Sequence, residues 1–165
     1  VGRFSEQKNI PLAVDACAEL ASRGRNIKWY HIGDGPLRDE VRNYVEKKGV
    51  ADRFIMLGEK SNPYPYIGQC DIYVQPSLFE GKSIAIDEAK CLCRPIVVTD
   101  FSTVHDQITD GINGLICRMD KIDMADKIEY LIENKSERTR LTENLSREKV
   151  GNEEEIFKLY ELINK

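Results

Sequence analysis

The chain has 165 residues, of which 41% are hydrophobic and 32% are charged, and its formal net charge at pH 7 is -4. This length and composition predict one globular domain with a hydrophobic core of its own. The negative net charge gives no indication of nucleic-acid binding, and no apolar run approaches the roughly 18 residues of a membrane-spanning helix.

Strand-like and helix-like patterns then alternate along the chain. Short apolar runs predict strands over residues 1–4, 27–32, 54–57, 71–75, 96–99 and 114–117. Amphipathic spacing and stop signals predict helices over residues 11–23, 37–48, 64–70, 83–93, 104–108 and most of 121–165. Such alternation favours an α/β fold, a doubly wound parallel sheet with helices on both faces and C-terminal helices. Sheets of this kind bind ligands at the carboxyl ends of their strands.

The two ends of the chain carry further predictions. Because Val1 falls inside a predicted strand, we expect residues 1–165 to be one domain of a longer protein, with an upstream part absent. The last helical segment has an apolar stripe that packs either on the domain or on that absent part. Its members are Ile156, Leu159, Tyr160 and Ile163.

The five cysteines are Cys17, Cys70, Cys91, Cys93 and Cys117. An odd number of cysteines within predicted helices and strands indicates buried free thiols in a reducing compartment. Cys91 and Cys93 are separated by one residue and have no histidine near them in sequence, so they lack the spacing of a zinc site.

The stretch most informative about function is the loop between the strand at 71–75 and the helix that begins at Ser83. A strand, a glycine-containing loop and a helix start form a natural anion site, because the first amides of a helix are unpaired. Gly81 permits close approach of the backbone to a ligand. The amides of Lys82, Ser83 and Ile84 are expected to point at a phosphate or a sugar.

Two acidic residues, Glu80 and Glu88, flank this anion site. At roughly 1.5 Å per helical residue, Glu88 lies about 7 Å along the axis from the helix start. The arrangement suits a nucleotide-sugar, which has hydroxyls at both ends and negative charge in the middle. Taken alone, the arrangement is equally consistent with a purely structural role, in which Glu80 stabilises the helix by interacting with the helix dipole and Glu88 is solvated.

Two basic residues follow the first predicted strand, Arg3 at its end and Lys8 at a helix start. Both are expected to reach the same point above the sheet edge, where a guanidinium fork and an ammonium group suit phosphate. Taken alone, the pair is also consistent with two solvated surface cations, because lysine and arginine side chains are mostly exposed.

Two glycine-containing loops give weaker signals. The loop at residues 33–36 reads Gly-Asp-Gly-Pro, and turn chemistry explains all four residues. It lacks the third glycine of a dinucleotide fingerprint and the Lys-Ser/Thr ending of a P-loop, so NAD binding and ATP hydrolysis are not supported. The loop at residues 110–114 reads Asp-Gly-Ile-Asn-Gly and is predicted to be a structural turn.

Taken in order, these motifs resemble the C-terminal domain of the retaining glycosyltransferases of family 4, which have the GT-B fold. The resemblance covers roughly residues 1–134. Its most specific element is the pair of glutamates separated by seven residues, Glu80 and Glu88. The other matching positions are Gly2-Arg3 with Lys8, the 33–36 loop, Gly58, Pro76-Ser77, Ala89, Arg94-Pro95-Ile96-Val97 and the 110–114 loop.

The resemblance implies a role for each matching residue. Arg3 and Lys8 would contact the donor diphosphate, Glu80 the transferred sugar, as the catalytic residue of this domain, and Glu88 the ribose. The base would pack near the end of the strand at 54–57, around Met56 and Leu57. The family needs no metal or other cofactor, since the nucleotide-sugar is the substrate, and the chain has no Asp-x-Asp that would argue otherwise.

The resemblance also implies a larger protein. Its fold would be two Rossmann-like domains facing across a cleft, of which this chain is the donor-binding half. The absent N-terminal domain would hold a sugar or lipid-linked acceptor. The full-length enzyme would transfer a hexosyl unit in bacterial surface-polysaccharide synthesis, in the cytoplasm or at the inner face of the membrane. The chain alone is expected to bind a nucleotide weakly and to transfer nothing.

Two departures from the family pattern bear on the sugar. The usual glycine-aromatic-glycine after the first glutamate reads Gly81-Lys82-Ser83, and a serine in place of glycine limits how closely the sugar approaches. The loop at residues 101–104 lacks the glycines common there.

Two other classes of protein stay open at this point. One is a non-catalytic doubly wound nucleotide-binding or regulatory domain of the receiver or flavodoxin type, although only Glu6 stands where a receiver has clustered acids. The other is a relative of the nucleotide-sugar epimerases.

Overall fold

The computed structural model describes residues 1–148, which form six α-helices and five β-strands. The helices are α1 (Ile10–Ser22), α2 (Arg38–Lys47), α3 (Tyr64–Gln69), α4 (Ile84–Cys91), α5 (Lys121–Glu133) and α6 (Lys135–Arg147). The strands are β1 (Trp29–Ile32), β2 (Phe54–Gly58), β3 (Tyr73–Gln75), β4 (Ile96–Thr99) and β5 (Leu115–Cys117). The predicted alternation of strand and helix is confirmed.

The five strands form two parallel sheets. Strand β1 pairs with β2, with Trp29 opposite Phe54, and strands β3, β4 and β5 pair in that order, with Val97 opposite both Val74 and Leu115. Parallel neighbours need a crossover, which α2 supplies between β1 and β2 and α4 supplies between β3 and β4. The carboxyl ends of the strands therefore lie together at one edge of each sheet.

Helices cover both faces of these sheets, as β4 illustrates. Its four residues are all buried. Val97 packs on one face with apolar residues of α1 and α5, whereas Ile96 and Val98 pack on the other face with residues of α3 and α4. A third apolar cluster joins α1, α2 and β2 around Phe4. Burial on both faces explains why the strand is a continuous apolar run.

The prediction of a strand over residues 1–4 is wrong in the described chain, although this segment does run beside the end of β1. The backbone N–H groups of Gly2 and Phe4 donate to the carbonyls of Ile32 and Asp34 at 2.9 and 3.1 Å. Two such bonds, without the reciprocal bonds of a ladder, leave the segment outside the assigned strands.

Of two other predicted segments, one is shorter in the structure than predicted and the other lies outside residues 1–148. The predicted short helix over 104–108 is reduced to a single 3-10 turn, Val104–Asp106. The apolar stripe of residues 156–163 lies outside the described residues.

No two of the five cysteines are joined by a disulfide bond. Burial raises the pKa of the Cys17 thiol to about 11 and that of the Cys117 thiol to about 12. Buried, protonated thiols act as small apolar side chains.

Candidate functional site

The loops that follow β1 and β3 meet residues 2–8 at the carboxyl edge of the sheets. The Leu78 N–H donates to the Gln7 carbonyl at 2.8 Å, and the Gln7 side-chain amide donates to the Phe79 carbonyl at 3.0 Å. These bonds join segments about 72 positions apart in sequence into one continuous surface.

The centre of this surface is the carboxylate of Glu80, whose side chain is only 8% exposed. Its Oε1 accepts hydrogen bonds from Lys8 Nζ at 2.6 Å and from Ser77 Oγ at 2.7 Å. Gln75 Nε2 donates to the same oxygen at 3.2 Å, and Gln7 Nε2 donates to Oε2 at 3.1 Å. Neutral donors around a charge-assisted bond fix the orientation of this carboxylate, so its role is more than that of a charge near a helix dipole.

Ser83 is the N-cap residue of α4, and its side chain is buried. Its Oγ accepts from the Ile86 N–H at 3.4 Å and donates to Gln75 Oε1 at 3.0 Å. Gln107 holds the Ser83 backbone from both sides, because Oε1 accepts from its N–H and Nε2 donates to its carbonyl, both at 2.9 Å. Since Gln75 bonds both Ser83 and Glu80, the helix start and the carboxylate form one network.

The other predicted residues of this loop lie at the surface. Ile84 is 73% exposed, and Lys82 pairs with Asp87 of α4 at 3.3 Å with its side chain 76% exposed. A Cβ built on Gly81 meets nothing within 4 Å, so no atom of the described chain requires glycine there. The Ser83 amide is bonded to Gln107, and the Ile86 and Asp87 amides are bonded to Ser83, which leaves the amides of Ile84 and Ala85 as the unpaired groups of the helix start.

The two predicted cations are placed differently. Lys8 is paired with Glu80 and its side chain is 19% exposed, so it is not a solvated surface cation. Arg3 is exposed, and among residues 1–148 it makes no ion pair or side-chain hydrogen bond. The structure thus brings Lys8 and Glu80 together and leaves the Arg3 guanidinium available.

Glu88 lies further along α4, half-buried, where it is hydrogen-bonded to Tyr64 of α3. Burial raises the pKa of Glu88, and the Tyr64 hydroxyl opposes that rise. Burial is also the main cause of the raised pKa of Tyr73, and the charges of Glu88 and Glu80 add to it. Both charges therefore act on the buried Tyr73 phenol, and neither acid is a fully solvated surface group.

Met56 and Leu57 lie on opposite faces of β2, as side chains of neighbouring strand residues do. Met56 packs against the α1–α2 core, whereas Leu57 lines a cleft between β1 and β3. The structure does not join the two side chains into one surface, and a base-binding role for them stays a prediction.

The loop at residues 33–36 does more than turn the chain. A Cβ on Gly33, where φ is +143°, would lie 2.0 Å from the Gly2 carbonyl oxygen, and a Cβ on Gly35 would lie 2.6 Å from the Phe4 carbonyl oxygen. Because such contacts are not tolerated, the two glycines let this loop pack directly on the backbone of residues 2–4.

His31, the buried residue before the end of β1, supports the same segment. Its Nε2 lies 3.0 Å from the Gly2 carbonyl oxygen, and its ring lies 4.4 Å from that of Phe4. Burial lowers the pKa of His31 to about 3, so the ring is neutral at pH 7 and Nε2 donates to the carbonyl.

Sequence reasoning missed the polar residues that hold the two glutamates and the start of α4. They are Gln7, Tyr64, Gln75, Ser77 and Gln107. One signal was present for Gln75, a polar residue that ends an apolar strand, because a buried amide needs partners. The partners themselves come from loops distant in sequence.

Two kinds of site are not found in residues 1–148. No group of three or more His, Cys, Asp or Glu side chains there is placed to hold a metal ion. No helix in that part of the chain has the length and apolar character needed to cross a membrane.

A family model described as "Glycosyl transferases group 1" matches residues 1–148. Among curated proteins, the alpha-D-kanosaminyltransferase of Streptomyces kanamyceticus is 32% identical over 147 residues, which are 87% of this chain and 38% of the relative. A second relative, from Campylobacter jejuni, is N-acetylgalactosamine-N,N'-diacetylbacillosaminyl-diphospho-undecaprenol 4-alpha-N-acetylgalactosaminyltransferase. It is 29% identical over 121 residues, which are 73% of this chain and 32% of the relative. The chain therefore spans about a third of the length of these two relatives.

Solved structures match closely in fold. A mutant of S. aureus TarM in complex with Fondaparinux, alpha-GlcNAc-glycerol and UDP has a TM-score of 0.85 and 25% identity, over 99% of this chain and 34% of that one. Anabaena HepE in complex with UDP-glucose has a TM-score of 0.80 at 18% identity, over 99% of this chain and 45% of that one. The C-terminal domain of LpcC from Francisella tularensis, a group 1 family protein, has a TM-score of 0.77 at 23% identity, over 88% of this chain and 79% of that one. The predicted α/β fold of a GT-B domain is confirmed.

Proposed function

The chain belongs to the family of group 1 glycosyl transferases, and from this premise we propose that it is the domain that binds the nucleotide-sugar donor. The observation that carries the proposal is the Lys8–Glu80 pair at the carboxyl edge of the sheets. Doubly wound sheets bind their ligands at this edge. The pair places a cation for the diphosphate beside an acceptor for sugar hydroxyls.

The diphosphate is proposed to lie between Lys8, Arg3 and the start of α4. An ammonium group has three N–H donors, and Lys8 uses one of them on Glu80. Arg3 has no ion pair among residues 1–148, so its planar fork is available to phosphate oxygens. The unpaired amides at the start of α4 add a third group that favours negative charge.

The transferred sugar is proposed to contact Glu80. Its Oε1 already accepts three hydrogen bonds, from Lys8, Ser77 and Gln75, whereas Oε2 accepts one, from Gln7. Each carboxylate oxygen has about two acceptor positions, so Oε2, with one donor, has room for a sugar hydroxyl. Four donors from the protein orient this carboxylate in advance, which is the preorganisation that substrate positioning requires.

Glu88 is proposed to accept hydrogen bonds from the ribose hydroxyls. It is half-buried, and its charge acts on the same buried phenol, Tyr73, as that of Glu80 does. Tyr64 is a hydrogen-bond partner of this carboxylate, and the proposal assigns its remaining acceptor positions to the ribose. Base contacts near Met56 and Leu57 belong to the same proposal and rest on the family resemblance.

The contribution of these groups to transfer is electrostatic. As the bond between the sugar and the diphosphate breaks, negative charge develops on the leaving nucleoside diphosphate. Lys8, Arg3 and the start of α4 would stabilise that charge in the transition state. These are the chain's own positive groups, and we propose that transfer needs no metal ion.

The whole protein is proposed to be a retaining enzyme that transfers a hexosyl unit in surface-polysaccharide synthesis at the cytoplasmic side of the membrane. This chain would be its C-terminal domain, and an N-terminal domain would hold the sugar or lipid-linked acceptor. The order of the family motifs supports retention, and the names of the two relatives, both alpha-transferases, agree with glycan synthesis. Neither a regulatory receiver-like domain nor an epimerase relative is favoured by the family match.

Titration of the 165-residue chain with UDP and with GDP tests the donor site, by calorimetry and by NMR. We expect weak binding with shifts at Arg3, Lys8 and Glu88, and no transfer from UDP-sugars. Lys8→Met is expected to weaken binding at least about tenfold, because it removes a charge-assisted bond and leaves the Glu80 charge facing the diphosphate. Glu88→Gln is expected to weaken it less.

Matched controls exist on α2. Lys47 and Glu46 are exposed and form no ion pair among residues 1–148, so Lys47→Met and Glu46→Gln change the same charges away from the site. Nucleotide shifts that avoid Arg3, Lys8 and Glu88, or equal losses in the site variants and these controls, would contradict the donor site.

A further inference from the structure

One of the two cations proposed to bind the diphosphate is already paired with an acid. Lys8 Nζ lies 2.6 Å from Glu80 Oε1, and within residues 1–148 it forms no other ion pair. Both side chains are largely buried, so solvent and salt screen their charges only partly. Arg3, the other proposed cation, has no acidic partner in the same range of residues. A phosphate group bound by Lys8 therefore lies beside a carboxylate.

The ion pair limits the distance between such a phosphate and Glu80. A charge-assisted N–H···O bond measures about 2.8 Å, so a phosphate oxygen that accepts from Lys8 Nζ lies no more than about 5.4 Å from Glu80 Oε1. Two unit negative charges about 5 Å apart repel each other enough to weaken binding about fourfold even in bulk water, and more strongly in a partly buried site. Glu80 therefore opposes the binding of a diphosphate.

This repulsion changes during sugar transfer, because the charge of the diphosphate changes. The bond between the sugar carbon and the terminal phosphate oxygen breaks, and the oxygen keeps the electron pair. The sugar carbon forms a new bond to an acceptor hydroxyl oxygen, which releases its proton. The terminal phosphate of the product is no longer esterified, so at about pH 8 it carries close to one more negative charge than it does in the donor.

The sugar has the opposite effect on the same carboxylate. Glu80 Oε2 accepts one N–H, from Gln7 Nε2 at 3.1 Å, and has a further acceptor position for a sugar hydroxyl. While the donor is bound, this hydrogen bond offsets the repulsion between the carboxylate and the phosphates. After transfer the hydrogen bond is lost and the phosphate charge is larger, so the same carboxylate weakens binding of the product.

We propose that Glu80 makes the site selective for a nucleotide-sugar over the free nucleoside diphosphate and thereby promotes release of the product. This inference rests on the proposed donor-binding function. It predicts that removal of the Glu80 charge strengthens nucleoside diphosphate binding, whereas removal of the Lys8 charge weakens it. If Glu80 only supported the shape of the site, its removal would leave nucleotide affinity unchanged or lower it.

The test is calorimetric titration of the 165-residue chain at about pH 8 with UDP or GDP, whichever the parent binds more tightly. Glu80→Gln keeps the size of the side chain but places an N–H2 group near the Gln7 amide, and Glu80→Ala avoids that contact. Circular dichroism establishes that each variant is folded. We expect both to bind the nucleotide at least about fourfold more tightly than the parent. Added salt should weaken binding more steeply in both, because Lys8 is no longer neutralised.

The control is Glu46→Gln on α2, which removes an exposed charge with no ion pair among residues 1–148 and should leave nucleotide affinity unchanged. UDP-glucose or GDP-glucose, matched to the base, is the second ligand. Its terminal phosphate lacks the additional charge, so its affinity should rise less than that of the free nucleotide in both Glu80 variants.

Unchanged or weaker nucleotide binding in either folded Glu80 variant would overturn the selectivity proposal, and so would an equal rise for the nucleotide and its glucose derivative. In both cases the parent still binds the nucleotide, so the donor site itself would stand. Absence of nucleotide binding in the parent and in both variants would instead contradict the donor site, and the selectivity proposal with it.

Discussion

The loop that follows β3 and the loop that follows β1 lie on the same edge and are built in opposite ways. The loop at residues 76–83 is held by side chains, with four donors on the Glu80 carboxylate and two bonds from Gln107 to the Ser83 backbone. The loop at residues 33–36 is held by close packing on the backbone of residues 2–4, which is possible because its glycines have no side chains. The first arrangement presents chemistry to a ligand, and the second positions the segment that carries Arg3 and Lys8.

This difference predicts how each loop fails. Loss of a side chain from the first loop leaves polar groups without partners, which costs a limited free energy at each group. Addition of a methyl group in the second loop forces its backbone away from that of residues 2–4 and displaces the segment that carries Arg3 and Lys8. Stability should therefore be most sensitive where the chain has no side chain at all.

The largest effect is expected from Gly33→Ala. The new Cβ would lie 2.0 Å from the Gly2 carbonyl oxygen, at a backbone φ of +143°. Overpacking and backbone strain together should lower the free energy of unfolding by about 4 kcal/mol, measured by urea denaturation. The control is Gly81→Ala in the other loop, where a Cβ meets nothing within 4 Å and the change should stay within about 0.5 kcal/mol. Equal losses of unfolding free energy in the two variants would contradict the proposed difference between the two loops.

A smaller effect is expected from Gln107→Leu in the network of the first loop. Leucine leaves the buried Ser83 N–H without a partner and leaves the Ser83 carbonyl with the Asp87 N–H alone, at a cost of about 2 kcal/mol in unfolding free energy. Gln69→Leu is the matched control, because Gln69 is exposed and makes no side-chain hydrogen bond among residues 1–148. Urea unfolding of both variants, followed by circular dichroism, measures the difference. A Gln107→Leu protein as stable as the control would show that water satisfies the Ser83 groups.

The same comparison explains how much the sequence could predict. Hydrophobic periodicity placed every described helix and all five described strands, because each pattern is local. The importance of Glu80 was visible from a carboxylate next to a glycine and a helix start. Its partner Lys8 was predicted to bind phosphate, and its pairing with Glu80 depends on a contact across 72 positions, which no local pattern carries.

The loop at residues 33–36 shows what could not be predicted from the sequence. Turn chemistry accounts for its glycines, so nothing in the sequence indicated that Gly33 meets the Gly2 carbonyl. The requirement arises only from tertiary proximity. A glycine whose role is to leave room cannot be distinguished in one sequence from a glycine that only turns the chain.

The last prediction concerns His31, which supports the second loop with a titratable side chain. Its pKa is lowered from an ordinary value near 6.5 to about 3, mainly by burial, so the folded chain does not take up the proton that the unfolded chain binds below pH 6.5. Stability should therefore fall as the pH drops from 6.5 toward 3. Between pH 7 and pH 5 this group alone should remove about 2 kcal/mol.

Urea unfolding at pH 7 and pH 5 measures this loss in the parent chain and in His31→Gln. Glutamine keeps an N–H donor for the Gly2 carbonyl and does not titrate, so the variant should lose about 2 kcal/mol less than the parent between the two pH values. His105→Gln is the control, because His105 is exposed on the Val104–Asp106 turn, and it should reduce the loss less than His31→Gln does. An equal loss in the parent and His31→Gln would mean that His31 is protonated in the folded state. The Gly2 segment would then be held by the glycine loop without a neutral imidazole beneath it.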